Sequence, residues 1–262
     1  MEGKRSSTVC LIPARSGSKR VANKNVMEIN GHPLLAYTIS AAIDSGEFDS
    51  VVVSTDSESY ADIARHYGAE VPFLRPNEFS TDFSPDIEWV SYTLAELKSN
   101  GQGFDRFSIL RPTSPFRSVA TIRRAMAQFS DNKDADSLRA VELCTQHPAK
   151  MWQIIDDLLV PVMRGKTGEH EWYSMPTQSL PTVWVQNASL EIAHTRCVTE
   201  QNSISGKKIM AFKTNYPEGL DINSESDVLI VKSVVEKSPH FLPEISAKPY
   251  VLGLRNSSSK GN

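Results

Sequence analysis

Apolar positions along the first half of the chain switch repeatedly between two periods. Thr8 to Ile12 is a short run rich in β-branched residues that stops at Pro13, and it predicts a strand. After a polar loop, Pro33 opens a segment whose Leu35, Ile39, Ala42 and Ile43 share one helical face, with Gly46 placed to end it. Val51 to Val53 predict a buried strand. Thr55 and Glu58 have capping-box spacing, and Tyr60, Ile63, Ala64 and Tyr67 recur at helical spacing before Gly68. A short strand is expected near Val71. A helix follows, with Ser84 as N-cap, Pro85 at its first position, Asp86 in its first turn and Ile87, Val90, Leu94 and Leu97 on its buried face. Phe107 to Leu110 predicts the next strand, and Ile122, Ala125, Met126 and Phe129 the helix after it.

Four strand–helix units in a row predict an α/β, Rossmann-like fold: a mostly parallel sheet with helices on both faces. Ligands of such sheets bind outside the carboxyl ends of the strands. The loops at residues 13–25, 54–57 and 111–117 are therefore where chemistry is expected.

Between residues 146 and 181 the periodicity stops, although the segment holds Trp152, Trp172 and Tyr173. Two readings stay open for it: an irregular surface insertion, or an interface arm, since aromatic residues are enriched in interfaces. Order returns with strands over Val183 to Ala193 and Lys208 to Phe212. A last helix carries Val228, Val231 and Val235, with Ser224 and Asp227 at its start. The expected organisation is one domain over residues 1–255, interrupted by the 146–181 insertion, and a flexible tail over 256–262.

Composition narrows the function classes. A chain that is 40% hydrophobic and 23% charged is neither collagen-like nor largely disordered. With 28 basic against 31 acidic residues, it is not a general polyanion binder, and no nucleic acid is expected as partner. No apolar run is long enough to span a bilayer, so no membrane partner is expected. The three cysteines lack metal or disulfide spacing. The polar N-terminus is unlike a secretory leader. These features predict a soluble, cytoplasmic protein.

Charge is uneven along the chain. Residues 1–25 hold Lys4, Arg5, Arg15, Lys19, Arg20 and Lys24 against Glu2 alone. The loop after the first strand matches neither the Walker A pattern nor the dinucleotide glycine fingerprint. Ser16, Gly17 and Ser18 could bring backbone N–H groups to a phosphate, with Arg15, Lys19, Lys24 and Arg20 supplying charge. On the residues alone, a solvated basic loop fits equally well.

The stretch Ile12-Pro13-Ala14-Arg15-Ser16-Gly17-Ser18-Lys19, with Asn23-Lys24-Asn25-Val26 and Gly31-His32-Pro33-Leu34 after it, resembles the N-terminal signature of acylneuraminate cytidylyltransferases, the CMP-sialic acid synthetases. Val53 to Asp56, Glu70 to Pro76, Thr81-Asp82 with Ser84-Pro85, and Arg111-Pro112-Thr113-Ser114-Pro115-Phe116-Arg117 resemble further family segments in the same order.

The resemblance implies transfer of CMP from CTP to the anomeric hydroxyl of a 2-keto sugar acid, with pyrophosphate released. It implies that Arg15, Lys19 and Lys24 grip phosphates, with Ser16 and Gly17 beside them, and that Asn25 orients the nucleotide. Arg75, Asp82, Ser84 and Thr113 match nucleotide-binding positions, and Arg111, Thr113, Ser114, Gln186 and Asn187 positions of the sugar site. Asp221 and Asn223 match a metal-binding pair for Mg²⁺, with Asn223 where the family has a second Asp. Arg15, Lys24 and Asp221 are the implied catalytic residues, and a homodimer using the 146–181 arm is implied. Arg111 replaces a family Gln, and Gln186 and Ala188 also depart from the pattern, so the acceptor could instead be Kdo or a sugar 1-phosphate. Asn223 leaves room for a nucleotide-binding homologue without turnover. Turn chemistry alone offers plainer roles: Thr113, Ser114 and Asp82 as turn residues, Asn187 satisfying backbone groups, Asp221 as a loop carboxylate, and Glu191 facing solvent.

Overall fold

The computed structural model describes residues 6–165 and 170–250. Lys4, Arg5 and the tail expected at 256–262 lie outside the described residues. Two compact units are present, one of residues 1–140 with 187–262 and one of residues 141–186, a span that contains the expected insertion.

In chain order the elements are β1 (Thr8–Pro13), the small antiparallel pair β2 (Glu28–Ile29) and β3 (His32–Pro33), α1 (Leu34–Ser45), β4 (Ser50–Ser54), α2 (Glu58–His66), α3 (Asp86–Ser99), β5 (Arg106–Ile109), α4 (Val119–Asp131), β6 (Ser137–Leu143), β7 (Trp152–Ile155), β8 (Leu158–Pro161), β9 (Trp184–His194), α5 (Thr195–Gln201), β10 (Ile209–Lys213) and α6 (Glu225–Lys237). Six strands make a mixed, mostly parallel sheet in the order β10-β6-β9-β5-β1-β4. β1 runs parallel to β4 and β5, and β5 pairs antiparallel with β9.

Alternation along the strands divides the core between the two faces. Cys10 and Ile12 of β1, Val51 and Val53 of β4, and Leu190 and Ile192 of β9 pack with α1, α2 and α4. Val9, Leu11, Val52 and Ala193 point the other way, onto Trp89, Val90, Leu94 and Leu97 of α3 and Val198 of α5. A third cluster joins Val21, Tyr37 and Phe116 to Ile222 and to Val228, Val231 and Val235 of α6.

Some local expectations fail for identifiable reasons. Near Val71 there is a single parallel bridge, Val52 to Glu70, because Pro72 follows and cannot donate to a ladder. The cap position of α2 is Ser57, and Thr55 instead uses its hydroxyl to accept the Ser57 N–H at 3.2 Å. The cap position of α3 is Pro85; Ser84 turns back to donate to the Glu78 carbonyl at 3.0 Å, closing the loop before the helix. At α6 the expected capping box is complete, with Ser224 accepting from the Asp227 N–H and Asp227 accepting from the Ser224 N–H.

The unit of residues 141–186 is more regular than its sequence pattern. β7 and β8 form an antiparallel hairpin turned by Asp156 and Asp157, both with positive φ, 49° and 63°. The Lys150 ammonium donates to the Tyr173 and Met175 carbonyls, and the Trp152 and Tyr173 rings lie 4.6 Å apart. Ile154, Ile155, Leu158 and Leu159 are exposed.

Pairing of Pro13 with Ser54 brings the loops after β1 and β4 out of the sheet together. The Ala14 N–H then donates to the Ser54 carbonyl at 2.9 Å, and the Ser16 N–H to Asp56 at 2.8 Å. Removing the α6 cap tests how firmly the last helix is held. Ser224→Ala is expected to lower stability by about 1 kcal/mol, read as an earlier denaturant midpoint at unchanged slope; an unchanged midpoint would contradict the cap.

Candidate active site

A cavity of about 410 Å³ opens at this end of the sheet. Its wall contains Arg15, Lys19, Lys24, Asn25, Arg75, Asp82, Ser84, Arg111, Thr113, Asp221 and Asn223, which the sequence placed in five separate segments. Ser16, Gly17, Ser114 and Asn187 are not part of that wall. The Ser16 hydroxyl donates to Asp56 at 3.0 Å, while a Cβ on Gly17 would meet nothing within 4 Å. The Ser114 hydroxyl donates to Asp221 at 3.4 Å. Asn187 is buried, donating to the Thr214 hydroxyl at 2.8 Å and accepting the Ser189 N–H at 3.2 Å, and its neighbour Ala188 reaches the cavity instead. Gln186 is an exposed residue of the other unit.

Three cations of the first loop, Arg15, Lys19 and Lys24, are held by the protein's own oxygens. Asp82 bridges Arg15 and Lys19, each at 2.7 Å through a different carboxylate oxygen. Hydrogen bonds from Lys19 and Arg15 hold the Asp82 carboxyl below its ordinary range. The Lys24 ammonium donates to the Ile222 carbonyl at 2.6 Å. Burial lowers its pKa, opposed by nearby Asp221. Asn25 is buried and donates to the Arg15 carbonyl at 3.1 Å, fixing the loop from behind.

Arg75 is anchored to the end of β4. Its Nε donates to the Ser54 hydroxyl at 3.0 Å and Nη2 to the Ser54 carbonyl at 2.7 Å, with the guanidinium 4.8 Å from the Trp89 ring centre. Burial pushes its pKa down to about 10.

Arg111 meets two carboxylates that sequence reasoning gave other tasks. Its Nη2 donates to Asp86 at 2.6 Å and to Glu191 at 3.1 Å. Glu191, expected to face solvent, is 5% exposed and pairs through its second oxygen with Arg139 at 3.1 Å. The correction follows from strand parity: Glu191 shares a face with Ala193, and α3 covers that face. Burial alone would raise the Asp86 carboxyl, and the paired Arg111 outweighs it, leaving the pKa lowered.

Asp221 and Asn223 lie together in the wall, the Asn223 Nδ2 donating to Asp221 Oδ2 at 2.6 Å. No group of three or more His, Cys, Asp or Glu side chains suited to a metal occurs among the described residues. One carboxylate, with an amide whose oxygen turns inward on a flip, still fits Mg²⁺. That ion takes one or two carboxylates and draws its other ligands from phosphates and water.

Comparison with known proteins agrees in kind. A family model described as Cytidylyltransferase matches residues 9–159. The chain is 46% identical over 118 residues to a CMP-N,N'-diacetyllegionaminic acid synthase of Legionella pneumophila subsp. pneumophila, covering 45% of this chain and 51% of that one. It is 30% identical over 233 residues to an N-acylneuraminate cytidylyltransferase of Escherichia coli O18:K1:H7, covering 89% of this chain and 53% of that one. The chain thus spans about half the length of these curated relatives. Its fold is similar to that of a CMP:2-keto-3-deoxy-manno-octonic acid synthetase complexed with CTP, with a TM-score of 0.65 at 11% identity, covering 88% of this chain and 99% of that one.

Asp82 occupies two of the cations that line the cavity, Arg15 and Lys19. Asp82→Asn is therefore expected to tighten binding of inorganic tripolyphosphate about threefold at low salt, with the gain fading as salt rises. Titration calorimetry measures it; unchanged or weaker binding would show that the carboxylate does not compete.

Proposed function

Because the chain belongs to the cytidylyltransferase family, we propose that it transfers CMP from CTP to the anomeric hydroxyl of a nonulosonic acid of the sialic, legionaminic or pseudaminic type, releasing pyrophosphate. The observation that carries this reading is one cavity holding Arg15, Lys19 and Lys24 together with Arg75, Arg111 and Asp221. Relatives whose names state cytidylyltransferase or CMP-sugar acid synthase activity support the same reaction class.

The chemistry asks for position and charge rather than for a covalent nucleophile. The sugar hydroxyl must lie in line with the α-phosphorus while negative charge builds on the departing pyrophosphate. Arg15 and Lys19 would exchange Asp82 for phosphate oxygens of the triphosphate. Lys24 would meet that charge from a position where burial already weakens its hydration. Arg75, fixed on Ser54 and Trp89, would define the nucleoside end, and Arg111, Thr113 and Ala188 would face the acceptor. Asp221, with Asn223 beside it, would hold Mg²⁺, which supplies charge neutralisation to the triphosphate when bound. The Asn223 amide now occupies one Asp221 oxygen, which favours as second reading a nucleotide-binding homologue without turnover.

We further propose a homodimer assembled through the exposed apolar hairpin of β7 and β8, and action in the cytoplasm. No helix among the described residues is long and apolar enough to cross a membrane.

Pyrophosphate release from CTP, Mg²⁺ and a panel of keto sugar acids is the direct test, and release with none of them ends this reading in favour of the second. Lys24→Met is expected to lower kcat/KM for CTP by about a hundredfold. Because the lysine pKa is lowered, kcat/KM for CTP should fall with rising pH from below the ordinary lysine value, and the variant should lack that limb. Sedimentation at micromolar concentration checks the dimer, and a monomer there would remove it.

A further inference from the structure

Arg111 lines the cavity, yet little of its charge is free. Nη2 serves both Asp86 and Glu191, at 2.6 and 3.1 Å, while Nη1 approaches the other Asp86 oxygen at 3.4 Å. Each carboxylate is itself fixed. Asp86, in the first turn of α3, accepts the Trp89 indole N–H at 2.7 Å, and Glu191, inside β9, is tied to Arg139 of β6 at 3.1 Å. The planar guanidinium is therefore gripped along one edge and cannot swing to follow a ligand.

Charge around this clamp is nearly balanced. The two arginines of the clamp, Arg111 and Arg139, oppose its two carboxylates, Asp86 and Glu191, one for one. The clamp therefore offers a ligand fixed N–H donors with little surplus charge. A phosphate dianion entering the same partly buried space would bring twice the charge of a carboxylate to be compensated there.

We infer that Asp86 and Glu191 are positioning residues that turn Arg111 from a mobile counter-ion into a fixed N–H donor, and that this clamp selects a singly charged sugar acid over a phosphorylated sugar as acceptor. The inference rests on the reading above that the cavity holds a nucleotide and an acceptor. It separates keto sugar acids from sugar 1-phosphates by structure rather than by family likeness.

Glu191→Gln and Asp86→Asn each remove one carboxylate charge without changing shape. With CTP and either a keto sugar acid or a hexose 1-phosphate, both variants are expected to raise the ratio of kcat/KM for the phosphate over that for the acid by about tenfold. KM for the acid should rise while KM for CTP stays within about twofold. In an Arg111→Gln background, Glu191→Gln should leave the ratio unmoved, an outcome that a merely structural role would not give. An unchanged ratio in the folded single variants, or an equal effect in the Arg111→Gln background, overturns the inference. Should Glu191→Gln unfold by stranding Arg139, Asp86→Asn probes the same clamp from its more exposed side. If the unaltered protein releases no pyrophosphate, the proposed reaction fails on its own. The clamp is then decided by calorimetric binding of the same two acceptors with CDP present, where an unchanged ratio, or binding of neither, overturns it.

Discussion

The Arg117 guanidinium, 1% exposed, donates to the carbonyls of Ser189 and Arg111 and to the Thr38 hydroxyl, joining β9, the turn after β5 and α1. No carboxylate hydrogen-bonds it among the described residues, and burial pushes its pKa down to about 10, against the pull of Asp221. A cation desolvated to this degree is tolerable only while every acceptor stays in place. The turn carrying Arg111, Thr113 and Ser114 therefore cannot drift without stranding a buried charge. The dependence continues outward: the Thr113 carbonyl accepts the Ile222 N–H at 2.9 Å, and the Ile222 carbonyl accepts the Lys24 ammonium at 2.6 Å. One buried ion thus sets the distance between the two ends of the cavity.

The fold was legible wherever burial imposed a period. Val9 to Ile12, Val51 to Val53 and the faces of α1 to α4 follow from apolar spacing, because both sides of the sheet are covered and each strand must be apolar throughout. Caps were less legible. Thr55 and Ser84 satisfy the same local patterns as true caps, and only the path of the neighbouring chain sends their hydroxyls elsewhere. The hairpin of β7 and β8 escaped notice because its apolar residues are exposed on both strands, so no alternation of polar and apolar positions marked it.

The same distinction holds in the cavity. The residues alone left Arg15, Lys19 and Lys24 open between a phosphate grip and a solvated basic loop; the family resemblance singled them out, and the fold brings all three to one cavity. Asp86 and Glu191 were hidden because each has a plain local reading, a first-turn acid and an alternate strand residue. Their partner Arg111 is distant from both in sequence, and only the β9-β5 pairing together with the packing of α3 on that face brings the three together. Parity did place Glu191 on the face opposite Leu190 and Ile192. What it lacked was knowledge that α3 covers that face.

The two kinds of pairing in the cavity differ in what a ligand could do to them. Asp82 lies on a partly exposed loop, and its two ion pairs are ones that water and salt already weaken, so an incoming polyanion can replace it at small cost. Asp86 and Glu191 spring from a helix and a central strand, with Glu191 nearly excluded from water, so separating either from Arg111 would leave opposite charges unpaired in a low dielectric. The cavity thus combines an exchangeable half, where cations change partners, with a fixed half, where they do not. Binding at the first half is governed by the number of charges a ligand brings. At the second, a ligand must instead match donors whose directions are already set.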